Sequence, residues 1–209
     1  QPDLLTRQSL SSNIATFAPT VLVSAAQAVI VLTGELDLSV GTGVSMLNCA
    51  LATVPELMGW GLAPSIAVTF AIAILAGACN RVLVAFLKLP SLIVTFATSA
   101  IWFGVALIFR PQPGGVVAEG FGDFYAGSVL HAPIAFFLIL LALGVWSALQ
   151  GVPFGRQLRA VGSNPLAAFH AGIDVRWAKF RAYCLAWCLV FLSALAISAQ
   201  TMSGDSRLG

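Results

Sequence analysis

Glu35 and Asp37, followed by the Ser39 hydroxyl and bracketed by Gly34, Gly41 and Gly43, interrupt two long apolar stretches. A carboxylate at membrane depth costs at least ~2.5 kcal/mol unless it is paired, watered or drawn to the interface. Acids placed here therefore need compensation. Ser39 suits the N-cap of a helix starting near Val40, because its hydroxyl can accept from the free N–H groups of a first turn. The positive end of that helix would favour Asp37. Glycines permit irregular backbone, and a helix broken in this way is an element that transporters place near a translocation path. The plainer reading is a short wet loop whose serine only caps a helix.

A second group spans 154–173. Asn164 is a good N-cap, Pro165 fits the first helical position and Gly172 is a suitable stop, so the sequence writes a helix of about seven residues. Such a helix is too short to span or to hold by itself. It should lie across one membrane face, offering Leu166, Ala167 and Phe169 to a groove on another protein or resting on the lipid surface. A third group begins with Asn80-Arg81, read as a short cytoplasmic turn. Pro90 then opens a helix on which Thr95 and Thr98 share one side. Those threonines either line a polar path or bond back to their own helix.

Bond-making chemistry finds little support. The chain contains no G-x-x-x-x-G-K-[ST], H-E-x-x-H or G-x-S-x-G pattern, and His131 and His170 fall in loops without an obvious second ligand. Cys49, Cys79, Cys184 and Cys188 all lie inside apolar runs, where packing is their expected role. No catalytic residue, metal site or bound cofactor is expected.

The elements that position these groups follow from composition. With 59% hydrophobic and 9% charged residues and a mean hydropathy of +0.95, the chain lies far from the ~25% charge of a soluble domain. Uncharged runs cover 8–34, 38–55, 57–80, 89–109, 124–155 and 182–204, and each is near or above the ~20 residues a spanning helix needs. A membrane barrel would instead alternate polar and apolar residues in ~10-residue segments. The expected fold is all-α, a single polytopic transmembrane domain over 1–209. Its six spanning helices are placed near 11–33, 38–55, 62–80, 91–109, 131–149 and 179–200, with a broken or re-entrant helix near 34–43.

Charge orients the bundle. Arg156, Arg159, Arg176, Lys179 and Arg181 share one loop, and taking it as cytoplasmic puts Arg81 and Lys88 inside as well, against Arg7, Arg110 and Arg207 outside. The net charge of +2 gives no reason to expect nucleic acid. The Gly- and Pro-rich loop 110–131, with Glu119 and Asp123, should be an irregular outer segment, either a landing surface for a partner or a connector. Trp60, Trp102, Trp146, Trp177 and Trp187 are placed mostly near helix ends, at headgroup level.

Thr33-Gly34-Glu35-Leu36-Asp37-Leu38-Ser39-Val40-Gly41 resembles a signature of the bacterial sugar-type ABC importer permeases, the ribose, xylose, galactose and autoinducer-2 group. Asn80-Arg81 followed by Leu89-Pro90-Ser91-Leu92-Ile93-Val94-Thr95-Phe96-Ala97-Thr98 is similar to a second pattern of that family. Ala160-Val161-Gly162-Ser163-Asn164-Pro165, with Ala168 and Gly172-Ile173-Asp174-Val175, looks like its cytoplasmic coupling loop. The three occur in the family's order across most of the chain. Glu35, Leu36 and Arg81 depart from a common Gly, Ile and Gly.

The resemblance implies an inner-membrane permease subunit that translocates a monosaccharide or related solute. Asp37, Ser39, Asn80, Thr95 and Thr98 would lie along the pathway, and Gly162, Asn164, Pro165, Leu166, Ala168, Phe169 and Gly172 in the loop that meets the ATPase. Its partners would be an ATPase subunit that hydrolyses the ATP, a periplasmic solute-binding protein and a second permease subunit, identical or not. The family's first helix and its last few would lie outside this segment. The competing reading is an ion-coupled secondary transporter in which Glu35 and Asp37 hold the coupling ion.

Overall fold

Continuous apolar runs become helices because a helix satisfies every backbone group within the segment, which lipid cannot do. The computed structural model describes residues 6–87, 89–117, 120–130 and 132–208. Its helices are α1 (Arg7–Val31), α2 (Val40–Met58), α3 (Leu62–Leu87), α4 (Ser91–Phe109), α5 (Phe121–Ala126), α6 (Ile134–Gly151), α7 (Pro153–Ser163), α8 (Pro165–His170) and α9 (Val175–Thr201). An antiparallel hairpin of β1 (Ser128–Val129) and β2 (Ala132–Pro133) pairs Ser128 with Pro133 and Val129 with Ala132.

Among the described residues five helices, α1, α3, α4, α6 and α9, are long and apolar enough to cross a membrane. The sixth of the expected set, α2, carries more polar residues and turns them inward. Its Ser45, Asn48 and Thr53 are buried. The bundle is built around α9, which packs against α1, α2 and α3. Its buried Ala178, Ala182, Ala186 and Ala194 allow the close backbone approach on which helix packing in lipid depends.

Pro19 lies inside α1 and has no N–H to give its helix. The carbonyl thereby released, that of Ala15, accepts from the Tyr125 hydroxyl at 3.0 Å and from Gln200 Nε2 at 3.1 Å. Burial pushes the Tyr125 hydroxyl up to about 12, so it stays a neutral donor. Pro19 thus ties α1 to α5 and α9 instead of ending the helix.

Several expected boundaries move. Asn80-Arg81 is not a turn: α3 continues to Leu87, because Arg81 finds a carboxylate and its charge does not have to leave the bundle. The basic stretch before residue 179 is not loop either. Asp174 caps α9 by accepting from Trp177 N at 2.9 Å, so the helix starts at its cap rather than where the charges end. The loop expected to hold one short helix holds two, α7 and α8. In α7, Pro153 occupies the first turn and Leu158 and Val161 are buried.

The outer segment after Arg110 is irregular to 117 and is fastened by a Gly114–Gly204 backbone bridge. Glu119, His131 and Lys88 lie outside the described residues. The loops assigned to one face by charge do meet. Glu35, Arg81, Gly162 and Lys179 gather at one end, and Glu56 pairs with Arg110 at the other. The described cysteines are all free thiols.

Candidate functional site

Between α1 and α2 the chain leaves helical geometry. Gly34 takes φ +75, and residues 35–37 run without helix hydrogen bonds. Exposed to lipid, these backbone groups would be costly, and α4 takes up part of that need. The Leu36 N–H donates to Ser91 Oγ at 3.3 Å, and the Leu38 N–H donates to Thr95 Oγ1 at 3.0 Å. The Thr95 hydroxyl in turn donates to the Leu36 carbonyl at 3.4 Å. The first turns of α4 act as a partial strand partner made of side chains.

Asp37 anchors the same break. Its Oδ1 accepts from the Ser39 N–H at 2.8 Å and from the Ser39 hydroxyl at 2.6 Å, an Asx-type turn that starts α2. Its Oδ2 accepts from Asn80 Nδ2 at 3.3 Å and from Trp187 Nε1 at 3.2 Å. Asn80 Nδ2 also donates to Ser39 Oγ at 2.7 Å. A buried carboxylate is thus held by neutral donors in charge-assisted hydrogen bonds at the start of a helix, where the dipole favours it.

The expected role of Ser39 is corrected by this geometry. Ser39 stands at the N-cap of α2, but its hydroxyl makes no capping bond, because Asp37 and Asn80 engage it instead.

Trp187 is fully buried within α9. Its ring fills a slot made by two glycines. A Cβ at Gly43 would stand 2.7 Å from Trp187 Cη2, and one at Gly77 would stand 2.6 Å from Trp187 Cγ. Trp102 meets the ring edge-on at 6.2 Å. The signal available in the sequence was that pair of glycines, one in each helix flanking a ring at mid-span.

Glu35 was read together with Asp37, but its surroundings differ. Its Oε1 pairs with Lys179 Nζ at 2.8 Å and with Arg81 Nη1 at 3.4 Å. Two of the departures from the family pattern, Glu35 and Arg81, are therefore partners in space. Glu35 is thus paired with two cations, whereas Asp37 accepts from four neutral donor groups.

Asp37, Ser39, Asn80, Thr95 and Thr98 are each no more than 3% exposed. The structure joins Asp37, Ser39 and Asn80 in one network; Thr95 instead bonds the Leu36 and Leu38 backbone beside it, and Thr98 turns its hydroxyl to the Thr95 carbonyl at 3.2 Å. Placed as they are, they form a packed joint between α2, α3 and α4.

The second group forms a different kind of site. Asn164 caps α8, its Oδ1 accepting from Ala167 N at 3.0 Å, Pro165 occupies the first turn, and Gly172 ends the element at φ +83. Ala168 is buried against the bundle, while Leu166 and Phe169 are 67% and 65% exposed. These two line a groove of about 780 Å3 with Pro165, Gly172, Ile173 and Val175. Gly162, at the end of α7, belongs to neither the cap nor the groove; it lies against the backbone of Leu32 and Gly34.

Residues 9–206 match the family described as branched-chain amino acid transport system / permease component. The chain is 29% identical to an autoinducer 2 import system permease protein of Enterobacter sp. (strain 638), over 95% of this chain and 58% of that protein. It is 30% identical to a ribose import permease protein of Bacillus subtilis (strain 168), over 90% of this chain and 59% of that protein. With a D-allose transport system permease protein of Escherichia coli (strain K12), identity is 26% over 98% of this chain and 64% of that protein. The chain thus spans about three fifths of the length of these relatives. No solved structure matches it. Matched along nearly all its length, and carrying three motifs in order on a multi-pass helical bundle, the chain belongs to this permease family.

Proposed function

We propose that this chain is part of a permease subunit that passes a monosaccharide or related solute across the bacterial inner membrane, driven by ATP hydrolysis on a separate subunit. Relatives named for the import of ribose, D-allose and autoinducer 2 support a small, hydroxyl-rich cargo. A periplasmic binding protein would deliver the solute at the face carrying α5 and the hairpin, and a second permease subunit would complete the path. The Asp37 joint, with Thr95 and Thr98, borders that path and holds the break closed in this conformation.

The observation that carries the reading is α8. A short capped helix leaves Leu166 and Phe169 exposed beside a mostly apolar groove that Asp174 and Arg176 also line, at the end where Arg81 and Lys179 gather. Large apolar side chains standing free over a groove mark a protein-docking surface rather than a core.

Phe169→Asp is the test. Charging the docking face should weaken association with the ATPase by about 30-fold or more, the scale of an interface hot spot, and abolish solute-stimulated hydrolysis while leaving the thermal midpoint unchanged. Wild-type association and stimulation in that variant would remove the docking assignment.

A further inference from the structure

We infer that Glu35 is a positioning residue that carries displacement of the α7–α8 segment to the break at Asp37. This rests on the coupling role proposed for α8 and adds the route inward.

Three observations define the route. First, backbone meets backbone between the α1–α2 loop and the end of α7. A Cβ on Gly34 would stand 3.1 Å from the Gly162 carbonyl oxygen, and one on Gly162 would stand 3.1 Å from Gly34 N. With no side chain between them to yield, a shift of Gly162 pushes directly on the loop. Second, Glu35, the next residue, holds that loop to α9 and α3 at once, through Lys179 at 2.8 Å and Arg81 at 3.4 Å. Third, α9 is itself fastened to α7. Arg181 Nη2 donates to Gln157 Oε1 at 3.1 Å, and its guanidinium lies 5.0 Å from the Phe154 ring centroid.

The loop is therefore gripped from α7 by close contact and from α9 and α3 by ion pairs, two residues ahead of the carboxylate that starts α2. The ion pairs stand where side chains are only 9–13% exposed, so they are weakly screened and hold a defined geometry. Movement of α7 then reaches Asp37 through one short non-helical stretch of backbone, and through Trp187 the slot between α2 and α3.

The group carries one negative and two positive charges, which allows a test that separates positioning from charge balance. Glu35→Gln breaks both pairs and leaves two unpaired cations. Glu35→Gln with Lys179→Met restores the wild-type local charge without restoring the bridge. Reconstituted with its ATPase and binding protein, the double variant should accumulate, associate and hydrolyse ATP as wild type, while solute transported per ATP falls about fivefold or more, the usual scale of a coupling energy. A wild-type ratio in the double variant overturns the inference. Should the double variant fail to accumulate, Glu35→Gln with Arg81→Met, which also removes both pairs at the wild-type local charge, carries the test. A wild-type ratio there also overturns it, and a lowered ratio at normal hydrolysis supports it. Absence of any ATPase association in the wild-type complex is a separate result, which defeats the transporter reading and this inference with it.

Discussion

The Asp37 joint and α8 contain similar residue types and face opposite ways. At the joint, short polar side chains are sealed in the bundle, and Asp37, Ser39 and Thr95 make their hydrogen bonds to other parts of this chain. At α8 the polar residues Asn164 and Asp174 cap helices, and the large apolar residues Leu166 and Phe169 are the ones left outside. The difference separates stability from recognition. Changes at the joint must act on the fold before they act on transport, whereas changes on the exposed side of α8 are free to act on a partner alone.

Trp187→Ala should break the joint most severely. It deletes the largest fully buried side chain and removes one of the two donors to Asp37 Oδ2. A loss of about 3–5 kcal/mol is expected for truncating a buried aromatic ring, read as a collapse of the folded fraction in denaturant titrations of the solubilised protein. If the variant unfolds like wild type, the joint is not the structural keystone that the contrast requires.

Gly77→Ala probes the same slot from the other wall. The added methyl meets Trp187 Cγ and Cδ1 within 2.7 Å, and overpacking of this kind costs about 1–3 kcal/mol. Gly144→Ala in α6 is the matched control, since a Cβ there meets nothing within 4 Å. Equal unfolding midpoints for the two variants would mean that the ring can move aside and that the slot is loose.

How far each region could be read from sequence follows the same division. The capping of α8 was legible because Asn164, Pro165 and Gly172 act within a few residues of themselves. The helices were legible because lipid demands long apolar runs. The joint was half legible: an acid between two spans advertises a break, but its partners lie 43 and 150 residues away along the chain, and no local pattern connects them. The partner of Trp187 was not legible, because an amphipathic ring suits the interface as well as it suits a buried acceptor, and only the fold decides which it meets. The end of α3 was misread because an arginine looks like the edge of a membrane run until its carboxylate is found.

Asn164→Ala brings the comparison to α8. Losing the bond to Ala167 N costs a helix of this length about 1 kcal/mol, and the loss should stay local. Faster amide exchange at 167–170 with an unchanged global midpoint is the expected outcome. A lowered midpoint for the whole bundle would show that α8 is part of the core and would erase the distinction from the joint.

Leu166→Ser should have the smallest effect on the fold and is the sharpest test for that reason. The side chain is two-thirds exposed, so its loss should move stability by no more than about 0.5 kcal/mol, as for other surface positions. Its contribution belongs to whatever fills the groove. Binding of the ATPase, measured by titration against the intact permease, should weaken clearly while unfolding does not change. A variant that binds as well as wild type would leave Phe169 as the sole apolar contact of α8 and narrow the docking surface to the Ile173 side of the groove.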